Sequence, residues 1–484
     1  GFEKLDILSQ RGIGHINDAV EIVKENRDID IDIEDFSIMK EDISVNTNLA
    51  KGKTLGCFYI ESPAMRGLLR RLRCNNYYTL VAASSIIRPG VAKSGMMREY
   101  VFRHNHPDQF EYFHEVFEEQ LSDTYGVMVY QEDVMKIAHA FAGLDLSHAD
   151  ILRRGMSGKS RSKKEFLRVK ESYFANCKAR GYPDKLTNEV YRQIESFAGY
   201  SFCKAHSASY SVESYQSLYL KTYYPIEFMV AVINNFGGFY RTEVYIHEAR
   251  MAGAEIQTPC VNTSDKLTCV KGKVVYLGFI HLNNVDNEVQ KSIVEERERN
   301  GLYLNLVDFI ERVTIGIETL QVLIYAGAFR FTGKPKSELV IEARMILVNY
   351  KPVTTSPRLF KTPSVDYKLP ELEHSYLEDA YDELEIFGFP VSCSPFELLE
   401  TSYRGSVMAS ALEKYKGNMV KMVAYLISRK NVPTVKGNMN FGTWIDAEGN
   451  YFDSTHFPRK LIEYPFEGGG CYLEKKKIII LKRI

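Results

Sequence analysis

Two short stretches of this chain combine residue types that bind anions. In Ala149-Asp150-Ile151-Leu152-Arg153-Arg154-Gly155-Met156-Ser157-Gly158-Lys159, adjacent arginines precede a glycine-broken lysine cluster. Guanidinium groups grip phosphate oxygens in a bidentate fork, and lysines add point charges. Arg153, Arg154 and Lys159 therefore suit a polyphosphate; an exposed basic turn is the plainer alternative. The second stretch runs from Gly199 to Tyr210. Gly199 is expected to end one helix, and Ser207 or Ser209 to cap the next. Lys204 and His206 would then stand beside a helix N-terminus, which favours anions. Tyr210 offers a flat face for a base or a sugar. A simple helix-loop-helix corner is the alternative there.

Other candidates are weaker. Ile87-Arg88-Pro89-Gly90 puts Arg88 on a rigid turn. His104 and His106 flank Asn105 and read as surface residues rather than metal ligands. Asp28-Ile29-Asp30-Ile31-Asp32 alternates carboxylates that would share one face of a strand, as two-metal phosphoryl transfer requires. This run directly follows an amphipathic helix, however, where acidic and apolar alternation marks a solvated connector. The eight cysteines show neither a C-x-x-C pair nor Cys/His ligand spacing, so free thiols in a reducing compartment are expected and a zinc site is not.

Four textures along the chain must position these residues. A helix with Ile16, Val20, Ile22 and Val23 follows an apolar strand around Leu5 to Leu8, up to about residue 50. A long helical region follows, in which Val134, Ile137, Ala138 and Phe141 make one apolar face. A hairpin from Thr268 to Gly278, turning at Lys271-Gly272-Lys273, opens a third region of further helices. A Pro/Ser/Thr-rich linker begins the fourth at Pro352, and an acidic stretch from Glu371 leads into β-prone runs. These runs, Val420 to Ile427, Asn440 to Ile445, Tyr451 to Phe457 and Leu473 to Leu481, suit a small OB-type barrel.

With 484 residues the chain is too long for one core, and the length suggests about three domains. Its 45% hydrophobic and 25% charged residues are those of an ordinary globular protein, and no apolar run reaches membrane-spanning length. No secretory signal is visible, and the start at Gly1 without methionine is read as a start partway through a longer protein. The formal net charge of −1 hides a basic block: between Arg153 and Arg180 only Glu165 and Glu171 oppose ten Lys and Arg residues. One local basic block on a neutral chain suggests an anionic ligand bound at one place, with a solvated helix face as the alternative.

Five segments, in order, resemble the fingers domain of bacterial DNA polymerase III alpha subunits. They are Gly56-Cys57-Phe58-Tyr59-Ile60-Glu61-Ser62, Arg88-Pro89-Gly90, Tyr125-Gly126-Val127-Met128-Val129-Tyr130-Gln131-Glu132, Leu152-Arg153-Arg154-Gly155-Met156 and Phe197 to His206. The resemblance implies a multidomain α+β protein with mostly helical fingers, a helix-hairpin-helix domain and a C-terminal OB-type β-barrel. It divides the chain into the end of a palm with a connector helix (1–50), fingers (51–258) and a helix-hairpin-helix region binding clamp and duplex (259–352). A linker with an acidic helix (353–400) and an OB domain (401–484) complete it.

The same resemblance assigns roles. Lys4-Leu5-Asp6-Ile7-Leu8 matches the strand bearing the family's third metal-binding aspartate, so Asp6 is the implied catalytic carboxylate and metal ligand, with Lys4 facing nucleotide phosphates. The family's upstream Asp-x-Asp pair is absent, and the Asp28 to Asp32 run lies on the wrong side of Asp6. Arg88, Arg153, Arg154, Lys159 and Lys163 would hold the incoming triphosphate; Lys204, His206, Ser207 and Tyr210 would line the nascent base pair or its phosphates. Leu277 to Asp286 occupies the place of the first helix-hairpin-helix, but Asn284 and Asp286 stand where glycines are usual. Leu323 to Phe329, with Gly327, fits better. Leu359 and Phe360 sit where a clamp-binding peptide belongs, without its leading glutamine. Lys436, Phe441 and Trp444 of the OB domain would suit single-stranded template by charge and stacking. The implied activity is template-directed deoxynucleotidyl transfer in the cytoplasm, using two Mg2+ ions, primer-template DNA, deoxynucleoside triphosphates, a sliding clamp and other replisome subunits. The rival is a non-catalytic scaffold that binds DNA and clamp.

Overall fold

A computed structural model describes residues 9–87, 95–156, 163–198, 202–349 and 375–477. These described residues divide into two compact units, one drawn from 9–17 and 31–223 and the other from 18–30 and 224–477. Among the described residues no helix is long and apolar enough to cross a membrane.

The first unit is helical. Its central element is the helix Lys204–Tyr223, which packs on the helices Phe36–Glu41, Ile43–Ala50 and Tyr77–Ile86. The buried face carries Tyr215, Leu218 and Leu220 together with Ser207, Ser211, Ser214 and Ser217. Small side chains let the helices approach closely: the Ser85 and Ser207 hydroxyls lie 2.5 Å apart. Ser211 and Ser214 satisfy their buried hydroxyls by donating to carbonyls one turn back. Short polar caps fix the starts of neighbouring helices. Ser62 accepts from the Met65 amide ahead of Pro63, and Asn76 accepts from Thr79 at 2.9 Å.

A second group in this unit comprises the helices Gln131–Ala142, Leu146–Met156, Lys163–Ala179 and Asp184–Ala198. The face expected from periodicity is present, with Val134, Ile137, Ala138 and Phe141 fully buried. Val134, Ile137 and Phe141 each contribute roughly 2 kcal/mol of burial. The Phe141 ring stacks on Tyr182 at 4.5 Å, closing the corner after the helix Lys163–Ala179.

In the second unit, the helix Pro225–Asn234 carries Glu227 with no exposed surface. A bare carboxylate there would be costly. Arg27 and Asn26 supply its partners, with Arg27 Nε at 2.6 Å, Arg27 Nη2 at 3.0 Å and Asn26 Nδ2 at 2.7 Å. The hairpin Thr268 to Gly278 forms as expected: β2 (Cys269–Lys271) and β3 (Val274–Tyr276) turn at Lys271 to Lys273, and β1 (Glu255–Gln257) joins β3 in parallel. The helices Asn287–Asn300, Leu306–Arg312, Ile317–Tyr325 and Lys336–Asn349 then share a core that includes Phe279, Ile293, Tyr303, Phe309 and Phe329.

The acidic stretch contributes the helix Tyr376–Phe387, whose Asp379 and Asp382 both pair with Lys336. The last part is a four-stranded antiparallel sheet in the order β6-β5-β4-β7, with β4 at Met419–Thr434, β5 at Gly437–Asp446, β6 at Tyr451–His456 and β7 at Cys471–Lys477. β4 is long enough to pair on both sides, and a register shift between Leu426 and Ser428 bends it. β4, β5 and β6 overlap the β-prone runs that start at Val420, Asn440 and Tyr451, and β7 overlaps the fourth as far as Lys477, the rest of that run lying outside the described residues. Among the described residues no pairing between β6 and β7 closes the sheet into a barrel. The Thr242–Met251 helix supports the sheet: Tyr425 Oη donates to Glu243 at 3.1 Å, and His247 Nε2 lies 3.0 Å from the Gly449 carbonyl.

Candidate functional site

Arg153 and Arg154 end the helix Leu146–Met156. Asp150, one turn earlier, takes both: its Oδ1 accepts from Arg153 Nη2 and Nε at 2.7 and 3.0 Å, and its Oδ2 pairs with Arg154 Nε at 2.7 Å. One carboxylate against two guanidinium groups leaves a net positive helix end. Arg153 is half-buried and held in place, while Arg154 is largely exposed. Gly155 has to be glycine at this point, because a Cβ would overlap the Phe166 ring. That close approach packs the basic helix Lys163–Ala179 against the end of the helix Leu146–Met156. Lys163, its first residue, is exposed. Lys159, Arg88, Lys4 and Asp6 lie outside the described residues, as do Leu359 and Phe360.

The second cluster begins at Lys204. The helix Lys204–Tyr223 starts there, so Ser207 and Ser209 lie within its first two turns and cap nothing. Ser209 donates to the Ala205 carbonyl instead, and Ser207 is fully buried against Ser85. The cap is Glu132, which sequence reasoning missed. Its carboxylate accepts the Lys204 amide hydrogen at 3.0 and 3.2 Å, and the Cys203 thiol approaches it at 3.2 Å. The expected free anion site at this helix end is therefore already filled by a carboxylate of the protein. Lys204 keeps its charge available on the side chain, where Nζ sits 5.0 Å from the centre of the Tyr130 ring.

His206, exposed, leans over Tyr210, and Tyr210 is packed among Phe58, Tyr59 and Phe202 rather than presented as an open face. Tyr59 adopts φ +63°, which is costly for a residue with a bulky side chain. His104 is half-buried rather than fully on the surface. Its Nε2 lies 2.9 Å from the Leu72 carbonyl and its Nδ1 3.2 Å from Tyr125 Oη, and burial lowers its pKa.

The Gln131–Ala142 helix joins the two clusters. Backbone pairing of Tyr130 with Phe202, together with the Gln131 amide on the Phe202 carbonyl at 3.0 Å, holds the chain entering Lys204. On the other side Gln131 Oε1 accepts from Arg153 Nη1 at 3.3 Å. Asp133 fixes the segment itself, since its Oδ2 accepts the Val129 and Tyr130 amides, both at 2.8 Å. Burial pushes the Asp133 carboxyl up to about 6, although those two donors pull the other way. The sequence signal for a cap was present, as acidic residues in a first helical turn after Tyr130. Its partner, 72 residues away, was not readable.

Asp28, Asp30 and Asp32 do not form a strand face. Asp28 has φ +55°, Asp30 pairs with Lys24, and Asp32 accepts the Glu34 amide. No group of three His, Cys, Asp or Glu residues able to hold a metal occurs among the described residues, so these residues do not by themselves fit two magnesium ions.

In the second unit, Asn284 takes φ +65° and Gly327 φ +79°, the left-handed backbone that glycine adopts without strain. Asn284 thus replaces a glycine in conformation. The Gly327 carbonyl is occupied by Arg330, which also donates to the Thr258 and Pro259 carbonyls. Lys436 is exposed at the β4–β5 turn and Phe441 is 42% exposed opposite Lys430. Trp444 is fully buried, donates from Nε1 to Ser454 at 2.7 Å and stacks with Phe452. It packs the sheet core and cannot stack on a template.

Packed helices with a basic helix end, a further helical group and a small antiparallel sheet make a multidomain α+β architecture among the described residues. Residues 13–181 match the family profile of the bacterial DNA polymerase III alpha subunit finger domain, and residues 253–339 match that of the helix-hairpin-helix motif. The DNA polymerase III subunit alpha of Staphylococcus epidermidis is 32% identical over 473 residues, covering 96% of this chain and 43% of that protein. Its namesake from Staphylococcus aureus gives the same figures, and that of Aquifex aeolicus is 31% identical over 404 residues, 83% of this chain and 34% of that protein. The chain belongs to the family of bacterial DNA polymerase III alpha subunits. It spans less than half the length of these relatives.

Proposed function

We propose that this chain is the nucleotide-gripping part of a DNA-directed DNA polymerase that adds deoxynucleotides to a primer 3′ end. The observation that carries this reading is the joining of the Arg153–Arg154 helix end and Lys204 through one short segment, Tyr130 to Glu132, in a family of replicative polymerases. Two guanidinium groups and an ammonium arranged around a fixed backbone suit a triphosphate: arginines clamp oxygens in pairs, and lysine neutralises charge that moves to the leaving diphosphate. Lys163, Lys159, Arg88 and Lys4 are assigned to the same ligand, and His206 and Tyr210 to the base pair or sugar. Mg2+ is expected to supply charge stabilisation at Asp6 together with carboxylates that this chain does not provide.

The fingers are assigned to residues 51–258, duplex and clamp handling to 259–352 and single-strand binding to 401–484, with Gly327, Lys436 and Phe441 as DNA contacts. Leu359 and Phe360 are assigned to a sliding clamp. Work in the cytoplasm beside other replisome subunits follows from the same reading. The decisive experiment is primer extension by the full-length gene product on a defined template. Incorporation of only the complementary deoxynucleotide supports the reading. Binding of DNA and clamp without incorporation would support the scaffold instead.

A further inference from the structure

Resting on that reading of Arg153 and Lys204, we propose that Tyr130-Gln131-Glu132 is a positioning element that sets these two cations relative to each other, with Glu132 its principal residue. None of the three has to touch the nucleotide. Glu132 fixes where the Lys204 helix begins, because its carboxylate takes the first amide of that helix through both oxygens. Tyr130 sets the side-chain direction of Lys204 by holding Nζ over its ring. Gln131 does two things at once: its amide hydrogen binds the Phe202 carbonyl, and its Oε1 receives Arg153 Nη1.

The element is itself rigid. Asp133, 3% exposed, ties the Val129 and Tyr130 amides to the first turn of the Gln131–Ala142 helix, so Tyr130 cannot move without breaking a buried interaction. Glu132 is only half-buried, and it contributes little to the apolar core. A plain stabilising cap could come from a residue next to the helix in sequence. Here it comes from 72 residues away, on the helix that also touches Arg153. Two arms that bind different oxygens of one phosphate chain must be spaced correctly before the ligand arrives, and a shared backbone segment does this without ordering cost at binding.

The test uses the full-length gene product in steady-state primer extension, with thermal melting of each variant as a check on folding. Glu132→Ala should raise the KM for the incoming deoxynucleotide about tenfold, the size of one charge-assisted hydrogen bond, with a smaller change in kcat. Glu132→Gln, which keeps a neutral acceptor for the Lys204 amide, should restore about half of the loss in free energy. In a Lys204→Ala background the further effect of Glu132→Ala should shrink well below tenfold, since the residue acts mainly by placing Lys204. Should Glu132→Ala fail to fold, Gln131→Leu paired with Arg153→Ala gives the same cycle on the other arm. Independent, multiplying effects, or an unchanged KM in both Glu132→Ala and Gln131→Leu, overturn the positioning role. Unchanged KM in Lys204→Ala and Arg153→Ala would overturn the nucleotide reading itself, so the two failures are distinct.

Discussion

Arg153 and Arg154, neighbours in sequence, divide the two oxygens of Asp150 between them, Arg153 on Oδ1 and Arg154 on Oδ2. The pair differs in freedom. Arg153 also reaches Gln131 and is mostly covered, whereas Arg154 is 61% exposed. An exposed ion pair contributes little to stability, so Arg154 is the arm that can leave Asp150 for a ligand.

Arg154→Ala is therefore expected to fold normally and to raise the KM for nucleotide, or lower kcat, by about tenfold in the full-length protein. Arg153→Ala should have a larger kinetic effect, because it removes the arm already aimed by two partners. Steady-state extension kinetics beside melting curves separate the two. Unchanged kinetics in Arg154→Ala would remove it from the triphosphate site.

The purified 484-residue chain is expected not to extend a primer at any Mg2+ concentration. Two-metal transfer needs clustered carboxylates, and the described residues hold no such group. Asp28, Asp30 and Asp32 spend their geometry on a turn, a lysine pair and a local amide. Gel-resolved extension with the chain alone checks this; Mg2+-dependent product that disappears in Asp30→Asn would bring that run back as a metal site.

What could be read from the residues, and what could not, follows from range. The Val134 to Phe141 face was legible because a 3.6-residue period is local, and the Lys271-Gly272-Lys273 turn because its geometry is set by adjacent residues. Ser207 was misread because Ser and Thr favour caps in general, while here a small side chain is needed where two helices meet. The Glu132 cap was invisible because its partner comes from another segment. Trp444 was readable in part. On one strand, odd and even positions face opposite ways, so Phe441 and Trp444 could not both stack on one strand of DNA. Burial on both faces from Gly442 to Asp446 hid which of the two was inside.

That burial gives a clean optical prediction, since Trp444 is the only tryptophan in the chain. Its emission should be blue-shifted and resistant to acrylamide, and saturating single-stranded oligonucleotide should leave it unchanged. Phe441→Ala and Lys436→Ala should weaken oligonucleotide binding, measured by anisotropy, without moving that emission. Stacking on an aromatic contributes roughly 1–3 kcal/mol per base, so Phe441→Ala should weaken binding at least severalfold. Quenching of Trp444 by oligonucleotide would return it to the binding surface.

Asp133 gives the pH dependence of the joint. Burial raises its folded carboxyl to about 6, above the ordinary 3.8 of an unfolded aspartate. Between these values the folded state binds more protons than the unfolded state. By linkage, the contribution of this residue to stability then rises as pH falls from about 7 through 6 and levels off near 4. The charged form is the one penalised, because two amide donors do not fully replace lost hydration. Asp133→Asn keeps an acceptor for those amides and removes the titration. Wild-type chain should therefore gain melting temperature relative to Asp133→Asn on going from pH 7 to pH 5. A gap that stays constant, or one that moves against the wild type, would mean that Asp133 remains ionised in its buried place.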